Sequence, residues 1–277
     1  MTSSSPLERA LRRDRLLVAF GLTALTVLAV VYLALGAGLD MSFLDMTSTA
    51  LFPHRASAGA MAGMAMPSAW TAAYAILTLL MWWVMMVAMM IPSAAPMILL
   101  YAQVARREEE RQPGASQGLR RTGLFLAGYL VVWLAFSVIA SGLQWLLEGS
   151  GLLSSMRMTS VSGWLSAAIL VAAGLYQWTP LKDICLKHCQ APASFLSRHW
   201  RPGWRGALGL GIKHGAYCVG CCWALMALLF VGGVMNPVWI AALAVLVLLE
   251  KTLPGHAWLP RLSGALLVVW GVATLAV

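Results

Sequence analysis

The chain has 277 residues, 60% of them hydrophobic and 10% charged, with a formal net charge of +9 and a mean hydropathy of +0.78. These values exclude a soluble globular domain and describe a polytopic membrane protein. The basic residues collect in particular loops, so the positive charge indicates orientation and not nucleic-acid binding.

Seven apolar segments are candidates to cross a bilayer core of about 30 Å: 16–36, 70–103, 122–147, 161–180, 206–233, 237–253 and 260–277. They predict an all-α polytopic membrane helix bundle of about seven transmembrane helices. A basic tail at 1–15 precedes a single transmembrane domain at 16–277. The last two segments are the weakest, since one is short and the other runs out at the C-terminus, which leaves six spans open.

With the N-terminus in the cytoplasm, every Lys and Arg except Arg55 and Arg157 falls on the inner side. Arg9, Arg12, Arg13 and Arg15 lie in the tail, Arg106, Arg107, Arg111, Arg120 and Arg121 after the second span, and Lys182, Lys187, Arg198, Arg201 and Arg205 after the fourth. The positive-inside rule therefore predicts a multi-pass protein of the cytoplasmic (inner) membrane. The first span follows arginines and resembles a signal peptide, but Gly36–Asp40 is a weak cleavage pattern and the length suits a retained anchor.

Between the first and second spans, the external loop 37–69 holds Met41, Met46, His54, Met61, Met64 and Met66. A thioether binds Cu(I), forms no disulfide and does not compete for protons, so Met61, Met64 and Met66 suit a copper-capture arm. The same loop could instead rest on the membrane surface, using Met as an unbranched apolar residue.

The second span carries Met81, Met85 and Met89 on one face at i, i+4 spacing and Met86, Met90 and Met97 on another. Such a stripe fits lipid contact or packing, and it equally offers Met85 or Met89 as soft ligands. Pro92 and Pro96 are expected to break or kink this helix near its inner end.

All five cysteines lie between 185 and 222. Cys185 and Cys189, with His188 between them, open the inner loop before the fifth span. A structural disulfide is not expected in a reducing compartment. They read as a second soft site or an exit point for metal, or as inert thiols. His199 and His256 have no clustered partners and read as interfacial.

The fifth span is the most informative stretch. His214, Cys218, Cys221 and Cys222 occupy nine residues, and at 100° per residue their side chains share about a quarter-turn of one helix face. Three thiols and an imidazole suit a soft metal better than a dithiol switch. Glycines at 206, 209, 211, 215 and 220 let a neighbouring helix approach closely. Glu250 and Lys251, at the inner end of the sixth span, are expected to pair or to snorkel toward the interface.

Met-Trp-x-Val-Met-x-x-Ala-Met-Met-x-Pro at 81–92, Cys-Leu-x-x-Cys at 185–189, Gly-x-x-His-Gly-x-Tyr-Cys-x-Gly-Cys-Cys-Trp at 211–223, Gly-Val-Met-Asn at 233–236 and Glu250-Lys251 occur in that order. Over residues 70–260 the chain resembles a bacterial family of predicted metal-binding integral membrane proteins of unknown function. The resemblance implies metal binding within the membrane and specifies neither the metal nor a reaction.

The residues point to buried Cu(I), with thiolates from Cys218, Cys221 and Cys222, a neutral His214 imidazole, and Met85 or Met89 as axial or relay thioethers. Zinc or another transition metal also suits a Cys₃His set. Expected partners are membrane lipid and a soluble metal donor or acceptor, or a larger membrane complex, with no nucleic acid. Two rival functions stand beside copper handling. One is a membrane oxidoreductase using the metal or the cysteines, although the chain has neither a dinucleotide fingerprint nor a haem-attachment motif. The other is a structural or assembly subunit of a membrane complex.

Overall fold

Wherever an apolar run is long, the chain is helical. The structure is a computed structural model that describes residues 6–38, 47, 70–111, 118–154, 158–253 and 258–276. The capture arm Met61, Met64 and Met66, and also His256, lie outside the described residues.

Helix α1 (Pro6–Ala34) already includes much of the basic tail, and α2 (Ala72–Arg111) packs along it. Next come α3 (Gly118–Gly149) and a two-residue hairpin of β1 (Leu153–Ser154) and β2 (Thr159–Ser160). Helices α4 (Gly163–Tyr176), α5 (Pro180–Gln190) and α6 (Pro192–His199) lead into α7 (Gly203–Ala227). A short α8 (Leu229–Gly232), then α9 (Pro237–Thr252) and α10 (Trp258–Ala276), complete an all-α architecture.

Among the described residues, five helices are long and apolar enough to cross a membrane: Leu16–Ala34, Ala72–Glu109, Gly118–Gly149, Gly203–Gly232 and Trp258–Ala276. The other two expected spans form α4, with 14 residues, and α9, with 16. At 1.5 Å per residue they reach about 21 and 24 Å, less than the roughly 30 Å hydrocarbon core.

Local chemistry explains where the short helices begin. Ser162 caps α4 by accepting from the Leu165 amide at 3.3 Å. Thr179 caps α5 by accepting from the Lys182 amide at 3.3 Å, and Asn236 caps α9 by accepting from the Val238 amide at 3.1 Å. Pro180 and Pro237 each follow a cap in the first turn, where a missing N–H removes no helical bond.

The two prolines of α2 do not end it, because the helix continues through both to Arg111. Neighbours supply polar partners in that stretch. The Met90 carbonyl accepts from Ser93 Oγ at 2.9 Å and from Tyr129 OH, on α3, at 3.4 Å.

Two glycine seams organise the bundle. A Cβ at Gly211 of α7 would collide with the Phe125 carbonyl of α3, and one at Gly128 would collide with the Leu208 carbonyl. Four residues on, Gly215 meets Val132, so contacts ascend together from Gly211 with Phe125, and α3 and α7 run parallel in close contact. Helices α4 and α10 form the second seam and run antiparallel, with Gly174 against Gly264 and Gly271 against Leu170 and Val171. The outward faces stay apolar: Leu266, Val269 and Val272 of α10 are 61%, 67% and 57% exposed. In water that surface would be unfavourable; against lipid it is matched.

Candidate metal centre

Parallel contact with α3 places the middle of α7 inside the bundle. His214, Cys218, Cys221 and Cys222 are all buried, which agrees with the one-face arrangement expected from their spacing. The surroundings of each sulfur are specific.

Cys218 Sγ shares a hydrogen bond with Tyr129 OH at 3.1 Å and accepts from Lys251 Nζ at 3.0 Å. The same ammonium donates to Ser93 Oγ at 3.0 Å, so it joins α9, α2 and α7 at one point. Cys221 and Cys222 donate back to the Cys218 carbonyl at 3.1 and 2.9 Å. Cys222 Sγ also lies 3.8 Å from Met90 Sδ.

Helix α5 lies across this face. The Cys189 thiol lies beside Cys221, and Cys185 Sγ sits against Gly220, 2.7 Å from where a Cβ there would stand. His188 stacks on Tyr217 at 4.1 Å between ring centroids, and Tyr176 OH donates to the Gly220 carbonyl. Cys185 and Cys189 therefore border the α7 thiols, where sequence reading placed a separate site. Burial, followed by the proximity of Cys221, pushes the Cys185 thiol up, so it rests protonated near neutral pH. All five cysteines are free of disulfides.

His214 stands one turn from Cys218 among the rings of Phe195, Phe125 and Tyr129, at 5.5, 6.0 and 5.8 Å. Its Nδ1 is buried with no hydrogen-bond partner. An unpartnered buried nitrogen is costly unless something else uses it.

The methionines divide by role. Met85 and Met89 are buried in the core, and Met90 brings a thioether beside Cys222. Met97, farther along the same helix, lines a cavity of about 180 Å³ together with Ser93, Cys189, His214 and Lys251. Tyr129 and Ser93 went unnoticed in the sequence, where no local pattern marks them. Lys251 did carry a signal, as a charge inside an apolar run.

Glu250 and Lys251 do not pair with each other. Glu250 Oε2 accepts from Lys182 Nζ of α5 at 2.7 Å, with the two side chains 2% and 1% exposed. Gln177 Nε2 donates to Glu250 Oε1 at 3.3 Å, and Gln190 Nε2 donates to the Glu250 carbonyl at 2.6 Å. This polar clamp holds the end of α9 against α5 and fixes Lys251 beside Cys218. Both charges find buried partners, so neither snorkels.

Among the described residues, no three His, Cys, Asp or Glu side chains already form a group able to hold a metal ion. Cys221 and Cys222 direct their thiols to the Cys218 carbonyl. Soft donors have been brought together, but their sulfurs have not been turned toward a common centre.

A family model described as a copper chaperone, PpoB2, matches residues 79–274, from within α2 to the last turn of α10. No curated protein and no solved structure matches the chain. The matched region takes in both glycine seams, the five cysteines and the Lys182–Glu250 clamp, and with more than two thirds of its length inside it, the chain belongs to the PpoB2 copper chaperone family.

Proposed function

We propose that the protein is a multi-pass chaperone of the bacterial inner membrane that carries Cu(I) as cargo on the α7 thiols. Cys218, Cys221 and Cys222 provide thiolates and His214 a neutral imidazole. Met90 provides a thioether beside Cys222, and Met85 and Met89 continue the soft stripe along α2. Cys185 and Cys189 exchange the ion with a soluble donor or acceptor, and Met61, Met64 and Met66 gather copper outside. All seven helical segments belong to the membrane body, with α4 and α9 spanning by virtue of their packing against longer neighbours.

The observation that carries this reading is the convergence of sulfur from three helices. Met90 of α2 lies 3.8 Å from Cys222, and Cys189 of α5 stands beside Cys221. Thiolate and thioether together favour Cu(I) over harder ions. In the resting arrangement Lys251 supplies positive charge to Cys218. Arrival of Cu(I) replaces that charge, and Cys221 and Cys222 turn from the Cys218 carbonyl to the ion. Each thiol that ligates releases a proton.

The test is metal content by mass spectrometry on protein purified anaerobically in detergent, beside a variant with Cys218, Cys221 and Cys222 changed to Ser. Near-stoichiometric copper, absent from the folded variant, is the expected result. Zinc in its place would make the centre structural, and metal-free protein after loading with Cu(I) would remove the reading.

A further inference from the structure

A cavity adjoins the thiol cluster. The cavity beside it is lined by Ser93, Pro96 and Met97 of α2, His214 of α7, Lys251 and Thr252 of α9, and residues at the end of α5. Relative to the cluster, each contribution is displaced toward the same end of the bundle. Met97 lies about two turns beyond Met90, and His214 one turn before Cys218. Thr252 is the last residue of α9 and is exposed. That end is where α2 runs on to Arg106 and Arg107 and where α7 begins beside Arg201 and Arg205.

Three residues with soft or borderline donors line this space from three helices: Met97, Cys189 and His214. His214 Nδ1 is buried and unpartnered, while Met97 is 2% exposed. Lys251 stands between the cavity and the deeper thiols, held by Ser93 and Cys218. A volume of about 180 Å³ has room for a Cu(I) ion together with one donor group of a partner or chelator.

Resting on the copper-carrying reading above, we infer that this cavity is a second, transient Cu(I) site and the port through which cargo is exchanged. Met97, Cys189 and His214 are its ligands, and it opens toward the basic-loop end. Copper passes between this site and Cys218, Cys221 and Cys222 by ligand exchange. The ion stays Cu(I) throughout, each new Cu–S or Cu–N bond replaces an old one, and a thiol gives up its proton on ligating and regains it on release. The soluble partner meets the protein at this end. A partner on the opposite face has no route to the thiols through this cavity.

The test loads purified protein with one equivalent of Cu(I) and follows its loss to a sulfonated, membrane-impermeant Cu(I) chelator by absorbance. Thr252→Trp plugs the mouth without touching a ligand, and Met97→Ile removes a donor at similar volume. Ile76→Trp, at the far end of α2, is the control. The expected result is unchanged copper stoichiometry in Thr252→Trp and Ile76→Trp, release slowed at least tenfold in Thr252→Trp and several-fold in Met97→Ile, and wild-type release in Ile76→Trp. With wild-type protein in sealed vesicles, the chelator should strip copper only from the basic-loop face, a readout that needs no variant to fold. Wild-type release from Thr252→Trp, or stripping only from the opposite face, overturns the port while leaving copper carriage standing. Protein that never loads copper overturns both.

Discussion

Changing Glu250 to Gln would leave the Lys182 ammonium without its carboxylate at a site where both side chains are 1–2% exposed and 2.7 Å apart. Breaking a buried pair by removing one partner costs about 3–5 kcal/mol. Gln keeps a carbonyl acceptor, which places the expected loss near the lower end, at about 3 kcal/mol. In a chain of this size each kcal/mol moves the melting point by about 2–4 °C, so Glu250→Gln should melt about 6–12 °C below the parent. The double variant Lys182→Met, Glu250→Met removes both charges together. It sacrifices the Gln177 bond to Glu250 Oε1, worth about 1 kcal/mol, while Gln177 keeps its bond to Ser263 at 3.1 Å. It should therefore recover to within about 4 °C of the parent. Thermal melts in detergent by circular dichroism measure both. A single variant that melts within a degree of the parent, or a double variant as unstable as the single, would refute the desolvated clamp.

Further outcomes follow from other contacts. Gly211→Val should prevent stable folding, because the Phe125 carbonyl occupies the space a side chain needs, whereas Gly209→Ala has open space and should be neutral or stabilising by up to about 1 kcal/mol; expression level and melting point distinguish them. Trp82→Phe loses the indole bond to Gln144 Oε1 at 2.7 Å and should cost about 1–3 kcal/mol by the same melt. Cys218→Ser and Cys222→Ser should each lose stoichiometric copper while staying helical, and unchanged copper in both would remove the thiols from the site. Because the Cys185 thiol is pushed up and any thiol must lose its proton to ligate, apparent Cu(I) affinity should rise with pH between about 6.5 and 8. Chelator competition reads this, and a flat profile would exclude protonated thiols from the binding step.

The helices were legible because a membrane segment must satisfy its own backbone bonds, so length and apolarity alone predict them. Length misled at 161–180, where the Ser162 and Thr179 caps divide one apparent span into α4 and the start of α5, whereas 237–253, already short as a span, forms α9 almost throughout. Within α7, the shared face of His214, Cys218, Cys221 and Cys222 was readable from helical period, since one element carries them all. Which methionine meets them was not, because that depends on how α2 is set against α7, a matter of packing between elements. Hence Met90 and Met97 could not be told from Met85 and Met89. The placement of Cys189 against Cys221 depends on how α5 folds back, directed by the Thr179 cap and the Lys182–Glu250 pair. No spacing in the chain encodes that return.

The α3–α7 seam has a mechanical consequence. Backbone meets backbone at Gly211 and Gly128, leaving no side-chain layer that could yield, so Tyr129, His214 and Cys218 form an anvil with fixed spacing. Cys185 and Cys189 ride on an eleven-residue helix attached through side chains. Any opening that keeps the seam intact must lift this small arm away and carry two of the five sulfurs with it.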